Sequence, residues 1–218
     1  MARPVTFIEM KTRARQRADM ENSTFIKESE LNFYINDSLA ELYDILVQKF
    51  GANYYLKKFT ITTAPGVLEY DLPVDFYKIN GVDLVRGNSD SNLTLKPFMF
   101  IERNSRTFFD NYRYRLLGNK IHFLDPDASR EILVWYVPIS ERLVLDTDTF
   151  DGINGYEEYV IIDAAIKMKE KEESDIQGLL VSKQMMNKRI EEAAENRDEG
   201  SSDRVTDVTS TVLDGFLF

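Results

Sequence analysis

Apolar positions divide the chain into helical stretches at both ends and a strand-rich middle. The densest stretch runs from Tyr156 to Met168. At about 100° per residue, Tyr159, Val160, Ile161, Ile162, Ala164, Ala165, Ile166 and Met168 point in nearly every direction. A helix with that pattern is covered on most sides, so it is expected at the centre of the fold. Only Asp163 and Lys167 interrupt it. They lie four apart with the acid first, the order that favours an ion pair along a helix, and the pair is read as structural rather than as a catalytic acid.

Three further helices are predicted around it. Thr6-Phe7-Ile8-Glu9 has the form of a capping box, which starts a first helix near Phe7 that runs to about Met20. Its apolar stripe is Phe7, Met10, Ala14 and Ala18, with Lys11 and Arg15 along one border and Arg13 and Arg17 along the other. A second helix, with Ser29 as N-cap and Gly51 as stop, gathers Leu31, Ile35, Leu39, Leu42 and Leu46 on one face that packs against the central helix. Asp151 to Gly155 leads into the central helix, and Glu173-Ser174-Asp175 separates it from a last helix over 176–199. There Leu179, Met186, Ile190, Ala193 and Ala194 share one face, and Glu191, Glu195, Asp198 and Glu199 lie opposite.

Between Asn53 and Val137 the period shortens to that of strands. Residues 53–63 and 67–72 read as a hairpin turned by Ala64-Pro65-Gly66, and Lys78 to Val85 as a further strand. Gly87 to Asn92 is a polar loop and Phe98 to Arg103 a short helix. Tyr112–Leu117 and Lys120–Leu124 read as a second hairpin through Gly118-Asn119, and Glu131 to Val137 as the last strand. The predicted class is α+β: mostly a helical bundle, residues 1–52 and 151–200, with a small antiparallel β lobe inserted at 53–150 and an extended C-terminal arm at 201–218. The arm is rich in Val and Thr yet carries too little apolar surface for a core of its own. Val205, Val208, Val212, Leu213, Phe216, Leu217 and Phe218 are its candidate docking residues, by strand addition or pocket insertion on a partner. Folding back on the chain's own β lobe stays open.

Composition narrows the function classes. With 218 residues, 43% of them hydrophobic, the chain supports one core with an insertion rather than two full domains. No apolar run reaches the length of a membrane span, and Met-Ala-Arg-Pro-Val-Thr lacks a signal-peptide core, so a cytoplasm-like compartment and no membrane are expected. The chain has no cysteine, which excludes disulfides, thiolate metal sites and cysteine nucleophiles. Its net charge of -10 opposes general affinity for nucleic acid. The charge is uneven: residues 1–27 carry six basic and three acidic side chains, residues 191–218 two basic and eight acidic. For the basic first helix three readings stay open: docking on its own core, docking into an acid-rimmed groove of a neighbouring subunit, and contact with DNA.

Catalytic patterns are missing. The sequence has no GxxxxGK[ST], GxGxxG or HExxH, and its single histidine, His122, falls in an apolar-flanked strand. Asp146-Thr-Asp-Thr-Phe-Asp-Gly152 departs from a calcium loop at its fifth position, Phe150, and its glycine comes one residue late. Neighbouring acids such as Glu157-Glu158 point apart on a helix. No enzyme activity, metal or cofactor is expected.

Five segments in order resemble the head-to-tail adaptor (connector) proteins of tailed bacteriophages. They are Arg13-Ala-Arg-Gln-Arg-Ala-Asp-Met20, Asn32-Phe-Tyr-Ile-Asn-Asp-Ser-Leu-Ala-Glu-Leu-Tyr43, Leu72-Pro-Val-Asp-Phe-Tyr-Lys78, Asp151-Gly-Ile-Asn-Gly-Tyr-Glu-Glu-Tyr-Val160 and Lys171-Glu-Glu-Ser-Asp175. The resemblance spans most of residues 5–200. It implies a helical bundle with an inserted β lobe and a homo-oligomeric ring, commonly twelve-fold, beneath the portal protein. It also implies a C-terminal arm that reaches the portal, with tail or nozzle proteins attached on the other side. The protein would belong to the virion head–tail junction and be assembled in the host bacterial cytoplasm.

The charge asymmetry suits such a ring, with Lys11, Arg13, Arg15 and Arg17 of one subunit facing Glu191, Glu195, Asp198 and Glu199 of the next. Net acidity would let DNA pass through the exit channel without specific binding. The alternative is a DNA-contacting packaging or terminator module that uses the first helix.

Overall fold

The computed structural model describes residues 5–86, 92–99, 113–124 and 129–195. Among them the elements run α1 (Phe7–Ala18), α2 (Glu28–Lys49), β1 (Lys57–Thr62), β2 (Glu69–Asp71), β3 (Phe76–Leu84), β4 (Leu93–Thr94), β5 (Lys96–Pro97), β6 (Arg113–Leu117), β7 (Lys120–Phe123), β8 (Glu131–Pro138), α3 (Glu157–Lys171) and α4 (Gln177–Glu195). The class is α+β: the four helices pack together, and every strand falls between α2 and α3 in sequence.

Helix α3 packs against each of the other three. Every residue from Tyr159 to Ile166 is buried, and Met168 with them, as a stretch apolar on nearly all sides requires. Helix α1 starts at the expected capping box: Thr6 Oγ1 accepts from the Glu9 N–H at 3.4 Å, and Glu9 Oε2 accepts from the Thr6 N–H at 3.1 Å. It stops two residues short of Met20, at Asp19 with a left-handed φ of 60°.

Helix α2 departs from expectation at its start. Lys27, not Ser29, holds the N-cap position and makes no side-chain cap bond. Glu28 and Glu30 fill the first turn, where the positive end of the helix dipole favours them, and Glu28 is tied to Lys11 at 2.8 Å and Arg15 at 3.5 Å. At the other end Gly51 follows the C-cap with φ +77°, the left-handed stop expected of it.

Two four-stranded sheets make up the β part, in the orders β1-β8-β3-β4 and β2-β7-β6-β5. The pairings are antiparallel except β5 with β6, which is parallel and corrects the expected all-antiparallel lobe. Their core includes Ile61, Val82, Leu84, Tyr114, Ile121, Phe123, Ile132 and Val134. The β6–β7 hairpin turns at Gly118-Asn119, as the sequence predicts.

The expected hairpin between residues 53–63 and 67–72 does not form. The turn itself exists, with the Val67 N–H donating to Ala64 O at 3.1 Å, but β1 pairs with β8 and β2 with β7. Strand β8 buries Ile132, Val134, Tyr136 and Val137 and takes a partner on each side, while Tyr70 of β2 packs 5.8 Å from Phe123 of β7. Long-range packing therefore separates two strands that are neighbours in sequence. Residues 53–56 are turns or coil rather than strand. Phe98 and Met99 are not helical, and the rest of the helix expected there lies outside the described residues, as do most of the Gly87–Asn92 loop, Asp198, Glu199 and the whole arm from 201 to 218.

Strand β8 also joins the two cores. Its Val137 belongs to the helical core, and Tyr43 of α2 donates its hydroxyl to Pro138 O at 2.7 Å. Burial and nearby carboxylates push that phenol up to about 12.

Candidate functional site

A polar cluster lies where α2, α3 and α4 meet in the helical core. Asp163 Oδ2 accepts from Lys167 Nζ at 2.8 Å and from Ser38 Oγ at 2.6 Å, and its Oδ1 accepts from Lys183 Nζ at 2.5 Å. Glu41 receives Lys167 and Lys183 at 3.3 Å each and the Tyr159 hydroxyl at 3.2 Å. Burial pushes the Asp163 carboxyl upward, but hydrogen bonds from Lys167, Lys183 and Ser38 outweigh it and hold the group below its ordinary value. Burial pulls Lys183 down, and the Asp163 contact overcomes it and leaves the ammonium raised. A carboxylate held ionised by two lysines cannot serve as a general acid near neutral pH. The arrangement suits a clamp that fastens α4, whose one fully buried described residue is Ile190, to the rest of the bundle.

The Asp163–Lys167 pair is visible in sequence from its spacing, but Ser38, Glu41 and Lys183 are not assigned there. A signal existed for one of them. Lys183 stands four after Leu179 and seven before Ile190, so it is a cation on the apolar face of α4. Such a residue calls for a buried acid.

The four basic residues of α1 have different surroundings. Lys11 is buried, bridges Glu28 at 2.8 Å and Asp146 at 2.5 Å, and lies over the Phe7 ring. Arg15 donates to the carbonyls of Ser23 and Ile26 and pairs with Glu28. Arg17 pairs with Glu158 of α3. Arg13 is exposed and makes no ion pair among the described residues. Arg13, Gln16, Arg17 and Glu158 line an open groove of about 350 Å³. Glu158, which α1 reaches, and Asp163, which α4 reaches, are about 140° apart around α3, so α1 and α4 occupy separate sides of it.

On the outward side of α4, Glu191, Glu192 and Glu195 are exposed, and Glu191 also meets Lys49 of α2 at 2.8 Å. One to three turns earlier the same helix exposes Val181 and Met185. Beside α1, the loop after β8 presents Val144 and Leu145 to solvent. Asp148 Oδ2 accepts from both their N–H groups at 2.8 Å, while the Ile8 N–H donates to Asp146 O at 3.2 Å and the Phe7 N–H to Asp148 O at 2.8 Å. The backbone hydrogen bonds from Val144 and Leu145 hold the Asp148 carboxyl below its ordinary range. This apolar tip is thus fixed to the first turn of α1 next to exposed Ile8.

The remaining candidates of catalytic type have structural partners. Asp146, Asp148 and Asp151 serve Lys11, the loop backbone and the Tyr54 hydroxyl respectively. His122 faces the edge of the Phe98 ring, with its Nδ1 3.8 Å from Glu69. Among the described residues no three His, Asp or Glu side chains gather as a metal site would need, and no helix is long and apolar enough to cross a membrane.

No curated protein matches the chain. A family model described as SU10 adaptor protein matches residues 5–209, nearly the whole chain and a little beyond Gly200. Nearly full-length agreement with that model, on a fold whose exposed helical faces differ in charge, places the chain in the SU10 adaptor protein family, a family of phage head-to-tail adaptors.

Proposed function

We propose that this protein is a structural, non-enzymatic virion component that forms a homo-oligomeric ring, twelve-fold by family resemblance, beneath the portal. In this role it joins the portal to tail or nozzle proteins and surrounds the DNA exit path. The family match over residues 5–209 carries the reading. Support comes from the two unlike helical faces, α1 with Arg13 and Arg17 and α4 with Glu191 and Glu195, which suit a contact repeated head to tail around a ring. Lys11 and Arg15 are largely covered by their partners within the chain, so their part in such a contact is confined to shaping α1, whereas Arg17 and Glu191, although paired with Glu158 and Lys49, keep nearly half of their side chains exposed to a second partner. Asp198 and Glu199 would extend the acidic face. The arm from 201 to 218, ending in Phe216-Leu217-Phe218, would dock on the portal, its ordering cost offset by portal contacts and neighbouring subunits.

The DNA-binding alternative has less support. Of the four cations on α1, three have carboxylate partners in the chain, which leaves little charge to displace counterions from phosphate.

Co-sedimentation with portal rings or tailless heads tests the proposal, with the full chain and a chain ending at Gly200 compared. The full chain is expected to sediment and the shortened one to remain in the supernatant. If both sediment, the adaptor role stands without the arm. If neither does while both are folded, the role is refuted, and a salt-steep DNA affinity lost on replacing Arg13 and Arg17 would favour the alternative.

A further inference from the structure

The helical half exposes an apolar patch beside a charged one at two separate places, with opposite charges. On the α1 side, Ile8 is 48% exposed, and the loop tip fixed next to it exposes Val144 at 70% and Leu145 at 64%. Arg13, Gln16 and Arg17 follow along the helix. On the α4 side, Val181 is 49% and Met185 68% exposed, four apart on one face, and Glu191 and Glu195 follow. Both helices therefore run from an apolar end to a charged end.

The spacing agrees as well as the chemistry. At 1.5 Å rise per residue, Arg13 and Arg17 lie about 8 and 14 Å beyond Ile8, and Glu191 and Glu195 about 9 and 15 Å beyond Met185. Around α1, Ile8 and Arg17 fall on opposite flanks, with Thr12 and Gln16 between them, so a partner helix that meets both must cross α1 obliquely.

Resting on the ring reading above, we propose that α4 of a second copy crosses α1 in the same chain sense, with Val181 and Met185 on Ile8 and Leu145, Glu191 on Arg13 and Glu195 on Arg17. Because the two patches lie on separate sides of α3, each copy uses one patch toward each neighbour. Such a contact is heterologous, and it propagates instead of closing at a dimer. The apolar half supplies burial, and the charged half fixes the direction of the helix, since a reversed α4 would set Glu195 against Leu145 and leave it unpaired. Charge at the rim contributes more to specificity than to affinity, so the charged halves would set the register and the apolar halves the strength of the contact.

The chain contains no cysteine, so a disulfide can report this contact alone. Leu145→Cys and Met185→Cys are introduced together, and the variant is oxidised in dilute solution after incubation with portal rings. Both positions are exposed, so the fold is retained; a thermal melt within a few degrees of the parent checks this. The expected result is a covalent ladder on a non-reducing gel that extends well past dimer, with neither single variant forming it. Arg13→Glu and Glu195→Lys, which break no ion pair among the described residues, are each expected to cut the ladder at least threefold with the melt unchanged. A chain that co-sediments with the portal but gives no ladder, or stops at dimer, overturns the contact and leaves the adaptor reading standing. A ladder without portal binding supports the contact and removes the adaptor reading, and the absence of both refutes both.

Discussion

A lysine on the inward face of a helix is tolerable only where a carboxylate meets it, and Lys183 meets Asp163 at 2.5 Å. Asp163 carries the greater share of the cluster because its three donors meet it in the core, whereas Glu41 receives its three while half exposed. Asp163→Asn leaves two lysines facing a neutral amide, and both keep about a quarter of their exposure, 23% and 24%, which places the cost at the lower end of the usual range, about 3 kcal/mol. Lys183→Met leaves Asp163 still bonded to Lys167 and Ser38 and is expected to cost about half as much. Urea denaturation of the two variants checks the order. The pH dependence has two limbs. The folded-state value of Asp163 is lowered, so its contribution is full above its unfolded value of 3.8 and is lost as pH falls through the folded one. That of Lys183 is raised, so its contribution is full below 10.5 and is lost as pH rises through the folded value. The urea midpoint should therefore be flat between these limits as far as this cluster is concerned, and Asp163→Asn should make the acid limb shallower. Only the Asp163–Lys167 half of the cluster could be read from spacing, because helical periodicity shows which residues share a face but not which face meets it. Gly152 is a second position that sequence alone does not single out. A Cβ there would stand 2.9 Å from the Glu157 backbone nitrogen and 2.7 Å from its carboxyl carbon, so Gly152→Ala is expected to destabilise by about 1–3 kcal/mol in the same assay.

At the scale of elements, local signals succeeded where the determining contacts are local. The capping box of α1 rests on residues three apart, and Thr6→Ala is expected to cost about 1 kcal/mol in a thermal or urea melt. The Gly118-Asn119 hairpin and the Gly51 stop are equally short-range. The failures involve distant partners: Lys11 and Arg15 anchor Glu28 at the start of α2, and β8 draws β1 away from the strand that follows it. Helix α3 was identifiable because its apolar run leaves almost no polar side, whereas α4, with a single buried described residue, combines the partial packing of Leu179, Met186 and Ala193 with the Lys183 clamp. Amide hydrogen exchange should reflect this difference. Protection is expected to be highest in the middle of α3 and much lower along α4, and Asp163→Asn should lower α4 further while α1 changes little. Equal protection of α3 and α4 would show that the clamp is not what limits opening.

For the whole molecule, composition and charge excluded more than they specified. The lack of cysteine and of catalytic motifs, the net charge of -10 and the opposite signs of the two ends narrowed the classes, but the order of five segments along the chain carried the likeness to head-to-tail adaptors. The family match over 5–209 then established that membership. The candidate interface was readable only as two helices of opposite charge. Which cations remain available depended on partners far away in sequence, and the apolar tip at Val144 and Leu145 emerges only when the loop after β8 is tied to α1. If this protein joins heads to tails, DNA-filled heads assembled without it should lack tails and regain them when it is supplied. Such heads, mixed with purified tails and the purified chain, can be scored by electron microscopy for joined particles. Joining that depends on the added chain and saturates as portal sites fill is the predicted result. Heads that join tails equally well without the chain, or never join them with it, would contradict the adaptor role.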